Sequence, residues 1–298
     1  MMKNPFSNKA NDQQDDLVLI QSCLDGSRHA LNTLVEKHQG YIFNVALKYF
    51  NHLADAEDAT QEVLIKVIAN LGNYDSGKAQ FRTWLYRITC NHFLNTRRTS
   101  VEVRYEGGFE NFFKTIESAQ NNELTSEEEN MMKLEIEEAK VACMAGMIMC
   151  LDREQRLTYI LGDVFEIDHN LGAEIFEISS DNFRQRLTRA RKDLYEWMHN
   201  RCGLVNTNNP CRCPKKTKSF IEKGYVNPAN LKWNSDFSNR IFELSESTVD
   251  HLLNERDKIY AHLFRQHPFK NNSVTAEKIL TEILKNDKFR QSFDLNLN

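Results

Sequence analysis

The stretch FRTWLYRITCNHFLNTRR, Phe81 to Arg98, decides how the rest of the chain is read. At about 100° per residue, Phe81, Trp84, Leu85, Ile88 and His92 gather on one side, the i, i+3, i+4, i+7 spacing of a core-facing helical stripe. The other side carries Tyr86, Arg87, Phe93, Leu94, Arg97 and Arg98, so rings and guanidinium groups share the face expected to be wet. A surface that handles separated nucleic-acid strands needs both: cations for phosphates, and flat rings or a pocket for unstacked bases. For Trp84 the expectation is different, namely packing beneath the preceding loop.

The same helical spacing recurs outward in both directions. Gly and Pro are scarce (11 and 5) and strand-like alternation is hard to find, so the expected fold class is all-α. With 298 residues, 41% hydrophobic and 27% charged, the chain is globular and long enough for two or three modest domains. No apolar run reaches the roughly 18–20 residues of a bilayer span, so membrane insertion is not expected. The start, MMKNPFSNKANDQQDD, lacks the apolar core of a signal peptide, and the expected compartment is the cytoplasm. Seven cysteines argue against a disulfide framework; Cys23, Cys90, Cys143 and Cys150 sit singly in helical patterns as small hydrophobes. A net charge of −4 means that contact with nucleic acid has to come from local basic patches.

Four parts follow from composition. Residues 12–98 read as one helical unit. Residues 99–130 read as an acidic linker, at the start of a stretch to Lys140 that holds eleven Glu. Residues 131–198 read as a second helical unit, and 199–298 as an extension with further helices near Ser247–Phe264 and Thr275–Lys285. In the second unit, Asp168 can cap a short helix to Phe176. After the turn Glu177-Ile178-Ser179, a helix capped by Ser179 or Ser180 carries the stripe Phe183, Leu187, Ala190 and Leu194. Its other faces hold Arg184, Gln185, Arg186, Arg189, Arg191 and Lys192. This is a helix-turn-helix pattern, and spacing alone leaves DNA reading and a plain basic surface helix equally open.

Upstream, DAEDATQEV (Asp55–Val63) puts Asp55, Asp58 and Glu62 on one side of a helix while Ala59 and Val63 face inward. Acids near a helix N-terminus oppose the macrodipole without further purpose. Asp58, Gln61 and Glu62 also suit a basic partner helix. No Gly-rich phosphate loop, nucleophile elbow or H-E-x-x-H is present, and no enzyme activity is expected.

AEDATQEV, then FRTWLYRITCNHFLNTRR, an acidic linker, LDREQR and ISSDNFRQRLTRARKDL together resemble, in order and spacing, the extracytoplasmic-function (ECF) sigma factors of bacterial RNA polymerase. The resemblance runs from about Asp15 to Trp197. It implies sigma domain two over 12–98 and a helix-turn-helix domain four over 131–198, with a role in promoter recognition and melting. By that resemblance Asp55, Asp58, Gln61 and Glu62 bind the clamp helices of core RNA polymerase. Tyr86, Arg87, Asn91, Phe93, Arg97 and Arg98, with the loop 73–80, handle the minus-ten element, and Asn182, Arg184, Gln185, Arg186 and Arg189 approach the minus-thirty-five element. Where the family has Glu-Ile-Ala this chain has Leu171-Gly172-Ala173, and Gly172 is expected to loosen the first helix of the motif; Asp152 stands where the family has Pro. An anti-sigma factor is a further candidate partner that the sequence leaves open. The alternative reading is a stand-alone helix-turn-helix regulator with a metal- or redox-sensing extension.

Beyond the resemblance, His199, Cys202, Cys211 and Cys213 form H-x2-C-x8-C-x-C, four donors of the kinds that close a zinc site. No cofactor is required by the sigma reading, and zinc in the extension stands beside two others. One is plain thiols; the second is a redox switch in which Arg212, Lys215, Lys216 and Lys218 lower a thiol pKa. His251, His262 and His267 are expected to be packing or surface residues.

Overall fold

The computed structural model describes residues 11–231 and Phe264. The expected later helices and His251, His262 and His267 lie outside the described residues. Helices follow one another throughout, and no strand is present among the described residues. The chain divides into two units, one formed by residues up to Thr99 with Glu166–Arg184, the other by Ser100–Phe165 with the chain from Gln185.

In the first unit, α1 (Asn11–Leu24), α2 (Arg28–Phe50), α3 (Leu53–Ala69) and α4 (Phe81–Asn95) surround a core of Val35, Ile42, Phe43, Phe50, Val63, Phe81 and Leu85. Ser27 starts α2 by accepting the Ala30 N–H, and Asn51 ends it in the left-handed conformation that Asn tolerates better than most residues. Asp16, fully buried, ties three elements: its carboxylate meets Lys37 Nζ at 2.7 Å, His38 Nε2 at 3.1 Å and Arg82 Nε at 3.6 Å.

The same unit contains α10 (His169–Phe176) and the start of α11 (Ser180–Arg201). Asp168 caps α10 by accepting from the Asn170 and Leu171 N–H groups, Glu177 turns the chain at φ 55°, and Ser179 Oγ accepts from the Asn182 N–H. Gly172 does not loosen this motif. A Cβ there would lie 2.4 Å from the fully buried Phe183 ring, so glycine is what lets the two helices close. Gly172→Ala is therefore expected to cost about 1–3 kcal/mol through overpacking; urea unfolding of the full chain checks it.

The second unit corrects the expectation of a bare acidic linker. Residues 99–130 contain α5 (Ser100–Arg104), α6 (Gly108–Glu117) and α7 (Ser126–Met131), the last started by a Thr125/Glu128 capping box. Glu102, which composition placed among solvated acids, is 7% exposed. It accepts from Arg153 at 2.7 and 2.9 Å and from Arg156 at 3.0 Å. Those arginines sit on α9 (Arg153–Tyr159), capped by Asp152, which accepts the Gln155 N–H. A π-turn (Ile160–Val164) follows, and its buried Asp163 receives Arg191 and the Tyr195 hydroxyl from α11.

The extension is bound to this acidic segment. Helix α12 (Cys213–Glu222) packs along α8 (Lys133–Met149), and Phe220 and Val226 join Ile116, Ala119 and Ala139 in one apolar cluster. Around it, the Asn122 N–H donates to the Lys215 carbonyl at 2.8 Å, and Lys215 and Lys218 pair with Glu123 and Glu128. The ammonium of buried Lys216 donates to the carbonyls of Glu117 and Ala119. Exposed pairs of this kind are worth at most about 1 kcal/mol each, so the apolar cluster and the buried Lys216 do most of the holding.

Candidate functional site

On α3, Ala56, Ala59, Thr60, Val63 and Leu64 are buried, which turns Asp58 and Glu62 outward one turn apart. Gln61 is half-buried, and Asp55 lies 3.2 Å from His52 Nδ1. The acidic row is thus assembled as the sequence implied. Sequence reasoning missed what steadies it. His92 on α4 is buried between Lys66, whose Nζ is 2.7 Å from Nδ1, and Glu62, whose Oε2 is 3.4 Å from Nε2. Burial and the Lys66 charge hold the imidazole below its ordinary pKa, while Glu62 opposes them. Lys66 donating to Nδ1 fixes the neutral tautomer with its proton on Nε2, aimed at Glu62.

On α4 the structure overturns part of the expected face. Tyr86 and Phe93 are 1% and 0% exposed, and Phe93 packs against Tyr49 and Phe50. Both rings belong to the core because α4 is covered by α1, α2, α3 and α10 and so buries more than a single stripe. Asn91, Arg97 and Arg98 are exposed; Arg87, Ile88 and Trp84 are half-buried. Trp84 packs on Tyr74 of the preceding loop, ring centroids 5.4 Å apart, as expected for it. The loop is ordered from within: the Tyr74 hydroxyl donates to the Ala79 carbonyl and accepts from Gln13 Nε2, and Asp75 accepts the Gly77 N–H. Arg87 does not point at open solvent. Its Nε donates to the Glu174 carbonyl of α10 at 2.7 Å, and its guanidinium lies 3.8 Å from Glu177.

On α11, Phe183, Ala190 and Leu194 are fully buried and Leu187 is half-buried against Gly162. Asn182, Arg184, Gln185 and Arg189 are exposed; Arg186 is half-buried and meets Glu154 at 2.9 Å. The first turns of α11 therefore present amide and guanidinium groups as a major-groove reading helix does.

The comparisons with known proteins match this arrangement. Residues 34–101 fit the family model Sigma-70 region 2. The RNA polymerase sigma-H factor of Pseudomonas aeruginosa is 27% identical over 186 residues, 61% of this chain and 93% of that protein. The ECF RNA polymerase sigma-E factor of Escherichia coli is 28% identical over 190 residues, 62% of this chain and 94% of that protein. The ECF RNA polymerase sigma factor SigE of Mycolicibacterium smegmatis is 26% identical over 165 residues, 55% of this chain and 60% of that protein. Together these matches support reading the chain as an ECF sigma factor. Its function is that of a sigma factor in transcription initiation, which the stand-alone regulator reading does not provide. Among the described residues no helix is long and apolar enough to cross a membrane.

The Cys/His group of this sigma factor is only partly as expected. Cys202 and Cys211 pair in an isolated backbone bridge and Cys213 opens α12, but among the described residues no three His, Cys, Asp or Glu side chains are placed to hold a metal ion. None of the seven cysteines forms a disulfide. Burial outweighs Arg212 and Lys216, so the Cys211 thiol is pushed up and not down, and Cys202 rises to about 11. That is opposite to what a thiolate switch needs. His199 is half-buried, and its carbonyl accepts from Asn209 at 2.8 Å.

Proposed function

We propose that the chain binds core RNA polymerase through Asp55, Asp58, Gln61 and Glu62 and directs it to promoters, supplying no covalent chemistry of its own. The observation that carries this is the outward Asp58–Glu62 row beside a second exposed set, Asn91, Arg97 and Arg98, within the segment matched to Sigma-70 region 2. A stand-alone repressor has no need of such an acidic row. In this reading Asn91, Arg97, Arg98 and the loop 73–80 engage the minus-ten element. Arg87 joins them once it leaves α10, and Asn182, Arg184, Gln185 and Arg189 read the minus-thirty-five element. Tyr86 and Phe93 support the helix from inside and touch no base.

Residues after His199 act as a regulatory extension in this reading, because α12 holds the segment that joins the two DNA-reading domains. Cytoplasmic residence follows from a polymerase partner. The test is transcription by core polymerase on the source genome, with and without the protein. New start sites sharing upstream sequence are expected, and Arg184→Ala with Gln185→Ala should weaken those starts at least tenfold, the effect of losing about 1–3 kcal/mol per base contact. Starts identical to those of core polymerase alone would refute the reading.

A further inference from the structure

The acidic row of α3 carries a cation in its own helix that could silence it. Glu62 and Lys66 stand at i and i+4, in the order that favours an ion pair along an exposed helix face. Such a pair would cancel one of the charges that a basic partner helix has to find. The structure does not contain it. Among the described residues Glu62 and Lys66 form no ion pair with each other, and both turn onto His92 of α4 instead.

His92 can act in this way because its own place is fixed. It is 7% exposed, on a helix that packs along α3, with its ring against Phe93 at a centroid distance of 6.1 Å. The Thr96 hydroxyl donates to the His92 carbonyl at 2.8 Å, and its oxygen lies 3.5 Å from Nε2. Lys66 Nζ stands 2.7 Å from Nδ1. An ammonium group has donors and no acceptor, so Nδ1 accepts and the ring proton sits on Nε2, 3.4 Å from Glu62 Oε2. In that state the imidazole is neutral: it orients the Glu62 carboxylate without cancelling its charge. His52, which meets Asp55 at the other end of the row, has a side chain 49% exposed and no comparable burial.

We propose that His92 is a positioning residue for polymerase binding: it draws the Lys66 ammonium off Glu62 and holds the Glu62 carboxylate, uncancelled, where a basic helix meets it. This rests on the polymerase-binding reading of Asp55, Asp58, Gln61 and Glu62 given above. A carboxylate already held at its contact position loses less freedom on binding than one that turns freely. His92 also neighbours the exposed Asn91 on α4, so a residue within the strand-handling helix sets the affinity for polymerase as well.

The test is the affinity of the full chain for core RNA polymerase without DNA, measured as a double-mutant cycle. His92→Leu should weaken binding at least about threefold, in the range of coupling between side chains in contact. His92→Gln, whose amide accepts from Lys66 and donates to Glu62, should stay within about twofold of wild type. In a Glu62→Ala background His92→Leu should cost nothing further, and adding Lys66→Met to His92→Leu should restore binding, because the cation that quenches Glu62 is then gone. A role in packing alone would lower affinity in every background and would not be undone by Lys66→Met. Because the Leu variant can fail to fold, nitrogen-15 spectra of the free wild-type chain stand independently of it, and they should show His92 protonated on Nε2. A His92→Leu affinity equal to wild type, an equal loss in the Glu62→Ala background, no recovery with Lys66→Met, or a ring protonated on Nδ1 overturns the proposal alone. Absence of wild-type binding overturns the polymerase reading itself, and the proposal with it.

Discussion

Replacing Glu102 by Ala lowers the unfolding free energy of the second unit by about 3–5 kcal/mol, the cost of stranding a buried charge. Arg156, itself 4% exposed, keeps its bonds to the carbonyls of Met149 and Leu151 at 3.0 and 3.1 Å but loses the Glu102 carboxylate. Arg153 is nearer solvent and recovers part of its loss through hydration. Glu102→Gln keeps the shape and loses the charge, so it falls between wild type and Ala. Removing both charges in Glu102→Leu with Arg156→Met recovers most of the stability, because neither ion is then left alone. Urea unfolding of the four proteins gives the comparison. A Glu102→Ala loss below about 1 kcal/mol would mean that the pair behaves as a surface one.

Asp16→Ala produces a loss of similar size, about 3–5 kcal/mol, in the first unit. Burial raises the Asp16 pKa, but the hydrogen bonds and charges of His38 and Lys37 outweigh it and hold the carboxyl below its ordinary 3.8. Without it, Lys37, His38 and Arg82 face one another around an empty acceptor. The pH response has a definite sign. The stabilisation from Asp16 is complete above the unfolded value of 3.8 and is lost as pH falls through its lower folded pKa. Burial holds His38 below its ordinary 6.5 despite Asp16, so stability falls as pH drops below 6.5. Buried Lys48 is pushed down to about 7 from 10.5, so stability also falls from pH 10.5 to about 7 as the unfolded chain takes up that proton first. Wild type should therefore be more stable at pH 8 than at pH 6. Thermal unfolding across that range checks it, and a flat or inverted profile would contradict these burial assignments.

Local signals were the legible ones. The caps at Asp168 and Ser179 and the stripe Phe183, Ala190 and Leu194 depend on residues three or four apart, and the structure has them where periodicity put them. The outward Asp58–Glu62 row was legible for the same reason. Tyr86 and Phe93 were misread because one stripe per helix is the most that periodicity counts, and α4 is covered on several sides. Glu102 looked like one more solvated acid, since its arginines are about fifty residues away. Gly172 looked like a weakness until the Phe183 ring filled the space a Cβ would need.

The most direct test of the central claim is co-elution with bacterial core RNA polymerase, comparing wild type with Asp58→Ala/Glu62→Ala. Both side chains are exposed and Glu62 gives up only its 3.4 Å contact with His92, so the variant should fold like wild type. Stoichiometric co-elution of the wild type, reduced at least tenfold in the variant while helical content and thermal midpoint stay unchanged, is the predicted result. Absence of wild-type binding, in the full chain and in a chain ending at Arg201 that retains wild-type helicity, would contradict the account.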